Sequence, residues 1–223
     1  MNAAGTFISL EGIEGAGKST VAQALALQLR ARGLQVLLTR EPGGTPLAER
    51  VRALVLERPG EPISPLAETL LMCAARAIHL ENLVRPALAR GEWVLCDRFS
   101  DATRAYQGAG RGVDAALIEQ LLAAVHADLW PQRTLLLELP VAAGLARAQA
   151  RRGLPDRFED ENLQFFERVR ARYLALAAAD PRRIRVIDAS AAPELVASRA
   201  LAALADLLPV APTRGPGGGL GGG

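Results

Sequence analysis

Gly12-Ile13-Glu14-Gly15-Ala16-Gly17-Lys18-Ser19-Thr20 decides how this chain is read. It fits G-x-x-x-x-G-K-[ST], in which glycines let backbone N–H groups turn toward the α- and β-phosphates of a nucleotide. The lysine then reaches the β- and γ-oxygens, and the hydroxyl is a ligand for Mg²⁺. Lys18 is also singular: among 26 Lys and Arg residues it is the one lysine, and arginine fills the rest. A compact ammonium on a thin stem fits among phosphate oxygens where a planar guanidinium is too wide. The bland alternative, a glycine-rich turn with an exposed lysine, is opposed by the flanking sequence. Thr6 to Leu10 is a short apolar, β-prone run, and Val21, Leu25 and Leu29 recur at helical spacing behind the motif. Strand, loop, helix is the order a P-loop requires, because the helix N-terminus adds positive potential.

Composition narrows the rest. A chain of 223 residues suits one α/β domain with at most a lid. Half of it is hydrophobic, with Ala and Leu dominant, so helices should outweigh strands. Aromatics at 4% and a net charge of +2 argue against a base-stacking or polybasic nucleic-acid binder. Cys73 and Cys96 lie far apart in apolar runs, which predicts buried free thiols and a reducing compartment. No apolar span of about 18 residues and no basic-then-apolar leader is present, so no membrane partner and a cytoplasmic location are expected.

Further strands are expected at Gln35 to Arg40, Trp93 to Cys96, Thr134 to Leu139 and Ile184 to Ile187. Helices are expected at Leu47 to Glu57, Leu66 to Arg90 with a bend near Pro86, Asp114 to Ala124, from Val141, Leu163 to Ala179, and Pro193 to Leu208. Glycine-rich Gln107 to Gly112 reads as mobile, Arg147 to Asp160 as an exposed charged lid, and residues 209–223 as a disordered Pro/Gly tail after a domain spanning 1–208. Five strands alternating with helices imply a parallel, doubly wound sheet, whose ligands bind beyond the strands' C-terminal ends. Lys18, Arg40 and Asp97 would lie on that rim.

Asp97 ends an apolar strand, where it reads either as a Walker-B-type carboxylate holding Mg²⁺ with Ser19 or as a helix cap or salt bridge. Arg98 follows it, over the phosphates. Arg40, in Thr39-Arg40-Glu41-Pro42-Gly43-Gly44-Thr45, reads equally as a grip on an acceptor's phosphate or as a surface arginine beside a tight turn. Arg147, Arg151, Arg152 and Arg157 are a solvated charge run or a set of cations for the transferred group.

Together with Asp97-Arg98, the strings Thr39 to Thr45, Ala105-Tyr106-Gln107-Gly108 and Gly110-Arg111-Gly112 resemble the bacterial thymidylate kinase family. So do Asp156-Arg157-Phe158-Glu159 and Phe165 through Tyr173, and the resemblance runs from about Phe7 to Leu208. It implies a P-loop nucleoside monophosphate kinase with five parallel strands, a homodimer, and transfer of the ATP γ-phosphoryl to dTMP. Carried over, Lys18 and Ser19 belong to ATP and Mg²⁺, and Glu14 lies near the acceptor's 3′-hydroxyl. Arg40 and Arg98 bind the dTMP phosphate. Arg76 and Thr103 read the thymine edge with Gln107 nearby, and Tyr106 packs under the sugar. Arg151, Arg152 and Arg157 contact ATP phosphates from the lid, which supplies the catalytic arginine because the P-loop carries an acid at Glu14.

One departure bears on the base. The family usually has a phenylalanine three or four residues before the Arg76 position, where this chain has Cys73 and Met72; a thioether packs on an aromatic ring with modest energy, so weaker base affinity is expected. Ile78 and Arg104 add to that departure, whereas His79 and His126 read as structural or surface residues. Two other readings are a kinase for another nucleoside monophosphate and a nucleotide-binding module without acceptor chemistry. A guanine-reading N-K-x-D motif needs a second lysine, which the chain lacks.

Overall fold

The computed structural model describes residues 5–57, 61–126, 129–150, 158 and 161–209. Five strands, Thr6–Glu11 (β1), Val36–Arg40 (β2), Trp93–Asp97 (β3), Arg133–Glu138 (β4) and Ile184–Asp188 (β5), pair in parallel in the order β2-β3-β1-β4-β5. Alternation within the central strands splits their side chains between two layers. Leu135 and Leu137 of β4 join Ile8 and Leu10 of β1 in one core, whereas Leu136 faces the other. The first core is closed by Val21, Leu25 and Leu29 of helix Lys18–Arg30 (α1) and by the final long helix; the second is closed by an aromatic-rich helix described below.

Three further helices precede β3. Pro46–Leu56 (α2) and Pro65–His79 (α3) each start with proline behind a hydroxyl cap, Thr45 accepting from Ala48 N–H and Ser64 from Ala67 N–H. The expected long helix to Arg90 is interrupted earlier than at its proline. A π-helical turn at Leu80–Val84 precedes Pro86, which lies in the first turn of Arg85–Ala89 (α4).

After β3 comes a short helix, Ser100–Thr103 (α5), running into a π-helical segment, Arg104–Gly110, and then Ala115–His126 (α6). This corrects the expectation of mobility for Gln107 to Gly112. Gln107 and Gly110 are buried, and a Cβ on Gly110 would meet the Phe165 ring at 2.5 Å, so glycine serves close packing there. Helix Val141–Gln149 (α7) corrects the lid's start: Arg147 is helical, its guanidinium donating to Ala189 O at 2.9 Å and Ser190 O at 3.4 Å. Leu163–Ala179 (α8) carries Phe166 and Val169 into the second core, and Pro193–Ala202 (α9) carries Val196 and Ala200 into the first. Arg151, Arg152, Arg157 and the tail from 210 lie outside the described residues.

Candidate active site

Register sets the floor of the site. Asp97 pairs with both Leu10 and Arg40, so β1, β3 and β2 end in one row, and the loop from Gly12 leaves beside them. The start of α1 has no side-chain cap, which leaves backbone N–H groups for an anion. Gly15 (φ 73°) touches α7: a Cβ there would lie 2.0 Å from Gly144 O, and one on Gly144 would lie 2.6 Å from Glu14 O. Two glycines facing each other thus let the loop rest on a helix without side chains between them.

A cleft of about 760 Å³ opens over the loop. Gly15 through Thr20, Arg40 and Asp97 line it, as do Arg147 and the apolar side chains of Ala189, Pro193 and Val196. Gly12 and Ile13 sit behind it, where their carbonyls accept from Lys18 Nζ at 3.1 and 3.0 Å. Burial, reinforced by the nearby Arg98 guanidinium, pulls the Lys18 pKa down to about 8, against the opposing pull of Asp97 and Glu14. Ser19 Oγ donates to Asp97 Oδ2 at 2.8 Å, so both candidate metal ligands are adjacent oxygens on the cleft. Arg40 is exposed and holds both oxygens of Glu49, at 3.0 and 2.9 Å.

A second, much tighter cavity, of about 80 Å³, adjoins the cleft. Met72, Arg76, Thr103, Tyr106 and Gln107 line it, whereas Cys73 is buried away from it. Arg76 donates Nε to Glu41 at 2.6 Å and Nη2 to Phe99 O at 3.1 Å, while its buried Nη1 finds no protein partner among the described residues. Burial pushes the Glu41 carboxyl up, but the charge of Arg76 and the His79 hydrogen bond outweigh it and hold Glu41 below its ordinary pKa. Glu41, His79 and Cys96 bring ligand-type atoms within 4.8 Å of one another. Glu41 is already committed to Arg76, and His79 contacts Glu41 through Nδ1 and Thr39 through Nε2, so this cluster is a buried ion pair with its hydrogen-bond support. On the far side Gln107 Nε2 donates to Glu68 at 2.8 Å.

Glu14, Glu41, Arg52 and Arg98 border both spaces, which therefore meet. Arg98 is the one non-glycine residue with positive φ (73°) among the described residues. Its Nη2 donates to Glu14 Oε1 at 2.7 Å, its Nη1 to Gly12 O at 3.0 Å, and its plane lies 4.6 Å over the Tyr106 ring. Tyr106 in turn donates its hydroxyl to Glu14 Oε2 at 2.7 Å.

The structure thus brings Lys18, Ser19, Asp97, Arg40 and Arg147 to one cleft and Met72, Arg76, Thr103, Tyr106 and Gln107 to the other, with Glu14 and Arg98 between. Arg104 points elsewhere: it bonds Glu119 and Asp101 and stacks 4.7 Å over Trp130. Sequence reasoning missed Arg52, Glu41, Glu11, Tyr173 and Gly144. Glu11 carried a signal, since an acid directly between an apolar strand and the first loop glycine is buried unless the strand ends early. Arg52 carried none, because one arginine on an amphipathic helix reads as solvated.

A glycine loop feeding an uncapped helix start, with an arginine-bordered pocket opening onto it, defines a P-loop phosphotransferase. The family model described as Thymidylate kinase matches residues 10–200. Thymidylate kinase of Pseudomonas savastanoi pv. phaseolicola is 60% identical over 186 residues, covering 83% of this chain and 88% of that one. That of Cereibacter sphaeroides is 50% identical over 216 residues, covering 95% of this chain and all of its own. The crystal structure of thymidylate kinase from Ehrlichia chaffeensis superposes with a TM-score of 0.74 at 32% identity, covering 91% of this chain and 100% of that one. The chain belongs to the thymidylate kinase family, and it is a kinase.

Proposed function

We propose that the chain transfers the γ-phosphoryl of ATP to dTMP, giving ADP and dTDP. The observation that carries this reading is the junction of the two spaces at Arg98 and Glu14, since transfer needs donor and acceptor phosphates within one step of each other. Lys18 and the loop N–H groups hold the β- and γ-phosphates, while Arg147 and the apolar wall take the purine. Arg52 and Arg98 hold the acceptor phosphate, Arg98 reaching toward the transferred group, and Arg40 joins them only by leaving Glu49 and turning from the donor cleft. Arg76 offers its unpartnered Nη1 to a carbonyl of the base, Thr103 and Gln107 flank that edge, and Met72 packs on the ring. Tyr106 and Glu14 meet the sugar. Arg151, Arg152 and Arg157 complete the charge on the transferred group.

Ser19 and Asp97 fit Mg²⁺, because they pair hard oxygen donors on the phosphate cleft. Mg²⁺ held there would offset charge on the donor's phosphate oxygens. The residues themselves do the remaining work by positioning and by fixed positive charge, so transfer is direct and in line, with no covalent enzyme intermediate. A cytoplasmic homodimer accords with this reading. No described helix is long and apolar enough to cross a membrane, and Leu54 on α2 with Leu66 and Leu70 on α3 leaves about half of each side chain uncovered.

The test is ADP release with dTMP, dUMP, UMP, CMP and AMP as acceptors. A clear preference for dTMP is expected. A preference for another acceptor would replace dTMP, and Met72 in place of an aromatic ring is the feature that would explain it. ATP binding with no acceptor-dependent turnover would sink the reading altogether.

A further inference from the structure

Tyr173 lies on α8, is 3% exposed, and of the residues that the proposed chemistry assigns it meets Arg98 and, edge to face at 6.3 Å, the Tyr106 ring. Its hydroxyl donates to Glu11 Oε2 at 2.7 Å and accepts from Arg98 Nη1 at 3.3 Å. The other oxygen of Glu11 accepts from Phe99 N–H at 2.7 Å. A tyrosine has one hydroxyl hydrogen. While Glu11 takes it, a lone pair must face the guanidinium. We propose that Glu11 and Tyr173 form a positioning pair, in which the carboxylate fixes the direction of the tyrosine hydroxyl and the hydroxyl fixes the plane of Arg98. This rests on the reading of Arg98 as the residue between the two phosphates.

The geometry supports a functional rather than a packing role. Arg98 has an unfavourable backbone conformation for a residue with a side chain, one that persists only where the surrounding contacts fix it. It spends three hydrogen bonds on Gly12, Glu14 and Tyr173, which leaves the remaining donors of its five for an anion. Gly12 and Glu14 belong to the phosphate loop, whereas Tyr173 is the anchor that would stay put if the loop shifts around a nucleotide. Glu11 is costly where it is. Burial, then the charge of Asp101, raises its pKa to about 7, with Arg98, the Tyr173 hydroxyl and Phe99 N–H pulling the other way; Lys18 and Arg76 also feel its charge. A carboxyl with a raised folded-state pKa favours the fold while protonated, and that stability is lost as pH rises from the ordinary carboxyl value through about 7. Above pH 7 the fold therefore carries an ionised group that a neutral one would relieve.

Glu11→Gln and Tyr173→Phe separate the two roles. In Glu11→Gln the amide oxygen keeps Phe99 N–H, so the amide N–H₂ faces Tyr173 and turns the hydroxyl hydrogen toward Arg98, donor against donor. In Tyr173→Phe the anchor is removed. At pH 8 both should lower kcat roughly tenfold or more, the loss of a hydrogen bond to a charged group, with the ATP KM within about twofold of wild type. The Tm of Glu11→Gln should stay close to wild type, because relief of a buried ionised carboxyl offsets the donor-against-donor contact, so activity is lost without a matching loss of stability. A kcat within about twofold of wild type in either variant would overturn the pair, and so would a fall in Glu11→Gln Tm that parallels its loss of turnover. The ratios are read with whichever nucleoside monophosphate turns over best, so a different acceptor would overturn dTMP without altering this result.

Discussion

The donor cleft and the acceptor pocket meet at one arginine but are built differently. The donor cleft is mostly main chain: a loop of nine consecutive residues, an uncapped helix start, and two glycines in van der Waals contact. The acceptor pocket is almost entirely side chain, with Arg76 from α3, Glu41 from the end of β2, and Thr103, Tyr106 and Gln107 from the segment after β3. The first is rigid through backbone geometry and tolerates change around it. The second is rigid through a buried network in which each polar group depends on a partner distant in sequence, such as Arg76 on Glu41. The lesson is that a main-chain site fails through substitution within a short string, while a side-chain site fails through any of several remote contacts.

Lys18→Arg strikes the donor cleft at the one place where a side chain matters most. It should cut kcat by about a thousandfold, since the wider head cannot replace the ammonium among phosphate oxygens; near-normal turnover would contradict the assignment. Gly144→Ala probes the backbone contact. Its Cβ would press on Glu14 O at 2.6 Å, and we expect the ATP KM to rise by about tenfold to a hundredfold with a smaller change for dTMP. Equal effects on both KM values would mean the two regions are not separable.

The ammonium itself should leave a pH signature. With a Lys18 pKa near 8, kcat/KM for ATP should fall about tenfold per unit well above pH 8, as the free enzyme loses the charge that meets the phosphates. The sign for stability is opposite: a lysine with a depressed folded-state pKa costs stability while protonated, so that cost is relieved as pH rises through 8. A flat ATP profile to pH 9.5 would contradict the buried position. At the border of the two spaces, Arg52→Ala should raise the dTMP KM about tenfold and the ATP KM by much less, measured by varying each substrate in turn. The smallest effect is expected from Met72→Phe. A ring in place of the thioether should lower the dTMP KM by about threefold, whereas Cys73→Phe, which does not face the cavity, should fail to do so and should destabilise the core.

The same contrast explains what could be read in advance. β1, the glycine loop and α1 are contiguous, and each states its role through composition and spacing, as do the apolar runs that became the remaining strands. The pairing of Arg76 with Glu41 spans 35 residues and that of Tyr173 with Glu11 spans 162, and no local pattern announces either. Gly110 was misleading because glycine serves two purposes. Composition suggests freedom of the chain, but here the missing side chain makes room for Phe165. Choosing between Met72 and Cys73 needed the rotational phase of α3, which depends on what the helix packs against rather than on the helix alone.

A solitary lysine also gives the molecule an intrinsic label. An acylating reagent that reacts with amines finds a single side-chain target, Lys18, in a chain whose other basic residues are inert guanidinium groups. Modification would appear in a mass spectrum as one side-chain increment, on the peptide that carries Lys18 and apart from the α-amine of the chain, and a nucleotide seated on the loop would shield it. Occupancy of the cleft could thus be counted chemically, molecule by molecule, without engineering the chain.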